Sequence, residues 1–364
     1  MGVFVVSTTI YGLHRFGQRI EGYFRFYELA RASETTGIPL YFFSPRDVHL
    51  RRRQVLGTYY NHARMRWERQ PFPLPDVLYD RCASESPRAE TIRRLFAQWG
   101  IIPLNARHHF DKWDVYRKLL SDEHIWPYLP LTIRYRRPGD LFAFLLRHPQ
   151  VYVKAVDKSR GRKVLRLARL PDGGYEYSFF HNTVVGGTRP RFQDVYKIVR
   201  AVFKSERQVI VQEAIPLIRL WDRTVDFRAE IQRNGQGHLD IVGICARIGQ
   251  SRSPITIHAD ALPFEQFWQL MGFSTWRIQR LRSDVHQFLL AVYRAIESHY
   301  GPFGELGIDF GIDEQENIWF IECNAKSAKV SLYKAYNEET VRRAFTNPLE
   351  YARYLYQNRP NVTP

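Results

Sequence analysis

The chain has 364 residues, 45% apolar and 25% charged, which excludes a disordered polymer and leaves room for two or three packed domains. Its 53 Lys+Arg against 37 Asp+Glu give a formal charge of +16, a field that draws anions: nucleotides, nucleic acid, acidic polymers or an anionic membrane surface. Charge alone does not choose among them, because a basic surface also serves plain solubility.

The first region, residues 1–107, reads as a small α/β unit. Gly2–Thr9 is strand-like and lacks the basic leader and cleavage site of a signal peptide. No apolar run anywhere approaches the roughly 20 residues that a membrane span needs, so a soluble protein is expected. Gly22–Thr35 has helical periodicity and Pro39–Phe43 reads as a second strand. The basic run Arg51-Arg52-Arg53 reads as a solvated loop or helix face. A strand at Pro75–Arg81, a helix to about Trp99 and an extended Ile101–Leu104 complete a mainly parallel sheet with helices on its faces. No Gly-rich phosphate loop follows the first strand, which argues against a dinucleotide site. Three widely spaced cysteines, Cys82, Cys245 and Cys323, form neither a disulfide framework nor a metal-ligand spacing, as suits a reducing cytoplasm.

The second region, residues 108–210, opens with Asp111 as N-cap of a helix over Lys112–Leu120, followed by a helix at Gly139–Arg147. Strands follow at Val151–Val156, Val164–Leu170 and Tyr175–Phe180, with Gly173-Gly174 turning a hairpin, then a helix over Arg191–Lys204. The third, residues 211–357, carries strands at Thr224–Arg233, His238–Arg247, Gly304–Ile312 and Ile318–Cys323 and a helix near Ser283–Tyr300. Asn347-Pro348 reads as the start of a terminal helix, Pro taking the first position. Residues 358–364 form a tail.

Candidate chemistry gathers in four clusters. Asp309, Glu322 and Asn324 stand as D-x12-E-x-N on two strands of a hairpin. Alternation puts Glu322 and Asn324 on one face. Two carboxylates and an amide oxygen suit a hard cation such as Mg²⁺ that also takes nucleotide phosphates. Lys154 ends a strand just before the polar turn Asp157–Lys163, where Ser159 and Gly161 offer a hydroxyl and backbone donors to phosphate. The extended Gln212-Glu213-Ala214-Ile215 presents backbone groups that could read an adenine edge. Asp226, Arg228 and Arg247 lie on consecutive strands and could neutralise phosphate charge. Each cluster alone also fits an ordinary surface hairpin, basic turn or buried strand.

The order Lys112, Lys154 with its loop, Gln212–Ile215, Asp226-x-Arg228, Arg247 and D-x12-E-x-N resembles the ATP-grasp superfamily over residues 108–357. Tyr79-Asp80-Arg81, Asp111-Lys112-Trp113, Ala246–Gly249, Glu305–Asp309 and Ile318–Lys326 bring it nearer to the YheC/YheD family of endospore coat-associated proteins, over nearly the whole chain. The resemblance implies an N-terminal α/β domain before an ATP-grasp fold of two α+β subdomains with the nucleotide between them. Lys112 and Lys154 would meet phosphates, and Gln212, Glu213, Ala214 and Ile215 the adenine. Asp226 would lie near the ribose, and Arg228 and Arg247 would face the transferred phosphate or an acceptor carboxylate. Asp309, Glu322 and Asn324 would hold one or two Mg²⁺. Lys326 and Lys329, which follow the metal strand, would meet an anionic acceptor.

There are departures too. The flexible loop usually reads G-S-x-G-x-G, but Lys158 and Lys163 occupy its outer glycine positions, and Ala155 stands where Pro is expected. The activity implied is an ATP-dependent carboxylate–amine ligase, working through an acyl phosphate with electrostatic stabilisation. An ATP-binding coat-associated or scaffolding protein with little turnover is the alternative that the altered loop supports. A binder of nucleic acid or acidic polymer rests on charge alone.

Overall fold

A computed structural model describes residues 1–5, 23–157, 163–204, 208–250 and 260–359. The first sheet holds β1 (Gly2–Phe4), β2 (Tyr41–Phe43), β3 (Val48–His49), β4 (Gln54–Asn61), β5 (Arg66–Pro73), β6 (Val77–Asp80) and β7 (Ile102–Pro103). β2, β1, β6 and β7 run parallel, and β4 adds antiparallel to β2 and carries β3 and β5. Helices α1 (Tyr23–Thr36) and α2 (Pro87–Gln98) flank it, as a parallel sheet buried on both faces requires. The hairpin β4–β5 lacks clean alternation of burial and is not among the strands expected. Arg51 and Arg52 are exposed, as expected of a solvated run. Arg53 takes a left-handed φ of 49° and lays its guanidinium 4.9 Å from the centre of the Trp99 ring.

Helix α3 (Lys112–Leu119) leads to the second sheet, and the Asp111 carboxylate caps it by accepting from Asp114 N at 2.8 Å. That sheet is built from β8 (Thr132–Tyr135), β9 (Gln150–Ala155), β10 (Val164–Arg169), β11 (Tyr175–His181), β12 (Thr183–Arg189) and β13 (Val209–Glu213). It is antiparallel in the order β12-β11-β10-β9-β13-β8. Val151, Val153, Leu165 and Leu167 alternate onto one face and bury against α4 (Pro138–Arg147) and α5 (Phe192–Phe203). The opposite face carries Tyr152, Lys154 and Gln212.

The third sheet comprises β14 (Arg219–Leu220), β15 (Arg223–Arg233), β16 (Leu239–Ile248), β17 (Asp260–Pro263), β18 (Glu305–Ile312) and β19 (Ile318–Asn324). Its order is β17-β16-β15-β18-β19, with β14 pairing β15. Phe227, Ala229, Ile231, Ile308 and Phe310 face α6 (Phe264–Leu270) and α7 (Thr275–Tyr300) in the largest core. Period-2 alternation therefore turns Asp226, Arg228, Glu230, Glu305, Gly307 and Asp309 to the other side. Helix α8 (Val330–Ala335) and helix α9 (Glu338–Gln357) follow.

The terminal helix starts ten residues before the Asn347-Pro348 signal, at Asn337, whose side chain accepts from Thr340 N at 3.0 Å. Pro348 lies inside the helix. An internal proline removes the donor that the carbonyl four residues earlier needs. Gln232 Nε2 supplies it, donating to Ala344 O at 2.8 Å. A buried glutamine on β15 thus makes an apparent helix start into a helix interior. Val341, Phe345 and Leu349 of α9 pack with Val3, Val5, Phe26, Phe42 and Tyr79 of the first region, so the last helix completes the N-terminal core.

Candidate functional site

The polar face of the third sheet is a chain of alternating charge. Asp309 lies opposite Glu322 in register, and Gly307 opposite Asn324. The Asp309 carboxylate, 4% exposed, accepts from Arg228 Nε and, at 2.8 Å, from Arg228 Nη2. Arg247 Nη2 lies 3.2 Å from Asp309 Oδ2. Arg247 also makes a two-pronged pair with Asp226, Nε to Oδ1 at 2.7 Å and Nη2 to Oδ2 at 2.8 Å. Burial pushes the Asp309 carboxyl up, but Arg228 and Arg247 outweigh it and hold the group below its ordinary range. The two arginines expected to face a phosphate are therefore already fixed by acids.

At the end of β19, Glu322 Oε2 sits 3.2 Å from Lys112 Nζ, and Asn324 Nδ2 donates to Glu322 Oε1 at 3.4 Å. Across from it, on the second sheet, Lys154 Nζ donates to Gln212 Oε1 at 2.6 Å, and Gln212 Nε2 donates to Thr132 Oγ1 at 2.9 Å. Lys154 thus meets a neutral amide. Burial lowers its pKa to about 8, with Glu322 pulling it up and Lys112 down. Lys112, Tyr116, Thr132, Lys154, Gln212 and Phe320 line one cavity between the second and third sheets. Residues far apart in sequence thus meet across a cleft.

Other expected residues are placed differently. Glu213 turns to Leu131 N, accepting at 2.6 Å, and stands 3.2 Å from His148 Nδ1. The Glu213 and Ala214 amides donate to Leu131 O and Gln150 O, so both are used inside the sheet. Ser159 and Gly161, with Lys158, lie outside the described residues. Lys163 takes a left-handed φ of 58°, where a glycine is common, and its ammonium donates to Val202 O at the end of α5. Lys329, expected to meet an acceptor, is 3% exposed and paired with Glu305, so its charge is spent inside the fold. Lys326 Nζ donates to Cys82 O at 3.1 Å and, like Lys154, meets a neutral oxygen; burial lowers its pKa. Beside it His108 is pushed down to about 3 by burial and by Arg93 and Lys326, although Asp80 Oδ2 lies 4.0 Å from its Nδ1.

As a magnesium site, the donor set fits by its chemistry. Asp309 and Glu322 are oxygen donors on adjacent strands, and Glu322 keeps acceptor capacity beyond its contacts with Lys112 and Asn324. Rotating the Asn324 amide would offer its oxygen instead of its nitrogen. Among the described residues no cluster of three His, Cys, Asp or Glu is placed to hold a metal, so a set built on Asp309 and Glu322 would take the Asn324 amide as its third ligand.

Two α+β sheets closing on a cleft, with a lysine on one wall and a D-x12-E-x-N hairpin on the other, define an ATP-grasp protein. Solved structures share the fold. D-alanyl-alanine synthetase A of Vibrio cholerae O1 biovar eltor str. N16961 superposes with a TM-score of 0.55 at 12% identity, covering 96% of this chain and 98% of that one. VanG D-Ala:D-Ser ligase of Enterococcus faecalis gives 0.54 at 10%, covering 98% and 99%. ATP-grasp ligase PsnB, solved with a variant precursor, Mg and ADP, gives 0.52 at 12%, covering 96% and 98%. The chain belongs to the YheC/D-like ATP-grasp family, whose model matches residues 100–355. Endospore coat-associated protein YheC of Bacillus subtilis (strain 168) is 25% identical over 352 residues, covering 93% of this chain and 94% of YheC. Endospore coat-associated protein YheD of the same strain is 25% identical over 304 residues, covering 79% and 65%.

Proposed function

We propose that the cleft binds Mg·ATP and that the protein is an ATP-dependent carboxylate–amine ligase, joining an anionic acceptor to an amine with release of ADP and phosphate. The observation that carries this reading is the difference between Lys154 and its neighbours. Arg228, Arg247 and Lys112 have carboxylate partners, whereas Lys154 faces the cleft against an amide oxygen. Glu322 acts on this buried ammonium without being its hydrogen-bond partner, which leaves the charge available to an anionic ligand.

On this reading Lys112 and Lys154 orient the phosphates, Gln212 to Ile215 border the adenine, Asp226 lies toward the ribose, and Asp309, Glu322 and Asn324 hold Mg²⁺. The metal, when bound, would offset charge on the phosphate oxygens. Arg228 and Arg247 present N–H groups preorganised by Asp309 and Asp226, which need no reorientation as charge develops. The acceptor carboxylate lies toward Lys326, whose ammonium donates to the neutral Cys82 carbonyl. The names of the two relatives point to an endospore association, and no helix among the described residues is long and apolar enough to cross a membrane.

A second reading, nucleotide binding with little turnover, is favoured by Lys163, whose ammonium is tied to Val202 O beside the phosphate loop. Thermal melting with and without Mg·ATP tests binding, since a ligand of the native state alone must raise stability. ADP release across a panel of amino acids, peptides and acidic cell-wall fragments separates the two readings. Stabilisation without release under any acceptor supports the second; no stabilisation refutes both.

A further inference from the structure

The N-terminal domain reaches into the polar face of the third sheet through β6. Tyr79 Oη donates to Glu305 Oε1, and Arg81 Nη1 donates to the same oxygen at 2.8 Å and lies 2.6 Å from Tyr79 Oη. The second oxygen of Glu305 pairs with Lys329. Arg81 Nη2 donates to the backbone carbonyl of Ser327 at 2.6 Å. Burial works against ionised Glu305, but Lys329 and Arg81 overcome it and hold its pKa below the ordinary value. Tyr79, Glu305, Ser327 and Lys329 are all at most 3% exposed.

The hydroxyl of Ser327 continues the chain. It donates to Glu230 Oε1 at 2.5 Å and accepts from Arg228 Nη1 at 3.4 Å. Gly307 makes this approach possible: a Cβ there would stand 3.1 Å from Ser327 Cβ and 3.2 Å from Arg228 Nη1. Arg228 therefore has three supports: Asp309, Ser327 and, 4.0 Å from Nη1, Glu230. Asp309 holds its Nε edge, and Ser327 bounds its Nη1 edge. Of these, Ser327 is fixed from outside the ATP-grasp domain.

We infer that Tyr79 and Arg81 are positioning residues for the nucleotide site, acting through the Glu305–Lys329 pair and Ser327 to set the guanidinium of Arg228 against the terminal phosphate. This rests on the reading of the cleft as a nucleotide site. It explains why Tyr79-Asp80-Arg81 and Glu305–Asp309, remote in sequence, belong together. A guanidinium displaced by a fraction of an ångström loses alignment with its phosphate oxygen, while contacts to the rest of the nucleotide persist. The signature is a loss confined to ligands that carry a third phosphate.

The test is calorimetric titration of the full chain with Mg·ADP and with the Mg complex of the β,γ-imido analogue of ATP. Variants are Tyr79→Phe, Arg81→Lys and Ser327→Ala, with Arg228→Lys as benchmark. Leu349→Val loosens the apolar part of the same interface without touching the polar chain. Expected is a loss on the order of tenfold or more in affinity for the triphosphate analogue in Arg81→Lys and Ser327→Ala, toward the Arg228→Lys value. Affinity for Mg·ADP should stay within about twofold, and Leu349→Val should leave the ratio of the two affinities alone. Equal losses for both nucleotides, or a ratio altered as much by Leu349→Val, would assign these residues to interface stability alone and overturn the inference. If wild type binds both nucleotides and the variants keep its ratio, only this inference fails. If wild type binds neither, the nucleotide reading has failed and this one with it.

Discussion

The two sheets that face each other across the cleft treat charge in opposite ways. On the third sheet Asp226, Arg247, Asp309 and Arg228 form an unbroken row in which each charge contacts an opposite one. On the second sheet Lys154 rests against Gln212, an amide that carries no charge. The first arrangement fixes side chains in place; the second leaves a charge to be met by something else. A buried row of this kind adds little to stability beyond what an apolar core would, because desolvation cancels most of the attraction. It does hold its members in fixed geometry. The lysine wall gains nothing until a ligand arrives. Position is supplied by one wall and unspent charge by the other.

That contrast breaks first, and most severely, on the third sheet. Asp309→Asn takes from Arg228 its hydrogen-bonded carboxylate, leaving only Glu230 at 4.0 Å, and removes one of the two that Arg247 has. Loss of one partner in a buried pair costs about 3–5 kcal/mol, so the urea midpoint should fall sharply. A variant as stable as wild type would show that the row does not depend on its central acid. Glu322→Gln should behave differently, since its pair with Lys112 is partly exposed and contributes only about 0–1 kcal/mol. Folding should persist while Mg²⁺-dependent nucleotide turnover falls by on the order of a hundredfold, the loss expected when a metal ligand disappears. Wild-type ADP release with a competent acceptor would remove Glu322 from the metal set.

On the second sheet the expected order reverses. Lys154→Met removes a charge whose burial is unfavourable, so the unliganded protein should melt no lower than wild type. Nucleotide affinity should nevertheless drop at least about tenfold, as for other hydrogen bonds to charged groups. Melting scans with and without Mg·ATP measure both effects at once. A variant that melts much lower without ligand would show Lys154 to be structural.

The smallest effect is one of pH, and its sign differs between the walls. Lys154 has a folded pKa of about 8, below that of an ordinary lysine. The nucleotide needs the charged form, so binding takes up a proton as pH rises through 8, and affinity should decline toward pH 9. Lys154→Met should abolish that slope. Asp309 and Glu305 have lowered folded values. Their stabilisation is fully present above the unfolded carboxylate range near about 4 and fades as pH falls through the folded values. Acid unfolding should therefore come later in wild type than in Asp309→Asn.

Local pattern carried much of this architecture. Alternation along Thr224–Arg233 and Gly304–Ile312, the Asp111 cap and the Gly173-Gly174 turn are short-range signals, and β15, β18, α3 and the β10–β11 hairpin follow them closely. The D-x12-E-x-N spacing is local too, and the register of β18 and β19 sets Asp309 opposite Glu322. The hairpin β4–β5 and strand β12 escaped, because a solvated or edge strand need not alternate.

What only the tertiary structure decided is how each charge is used. Sequence set Arg228, Arg247, Lys154, Lys326 and Lys329 side by side as candidate anion contacts. The fold gives Arg228 to Asp309, Arg247 to Asp226 and Lys329 to Glu305, and leaves Lys154 and Lys326 on neutral oxygens. The same holds for Pro348, whose place inside α9 depends on Gln232, more than a hundred residues earlier, reaching the freed carbonyl of Ala344. Secondary structure follows from periodicity within a few residues, and composition and spacing name the chemical types. The partner of a buried charge or an orphaned carbonyl is chosen by packing across sheets, where desolvation makes an unmet polar group costly, and no local window of sequence contains that choice.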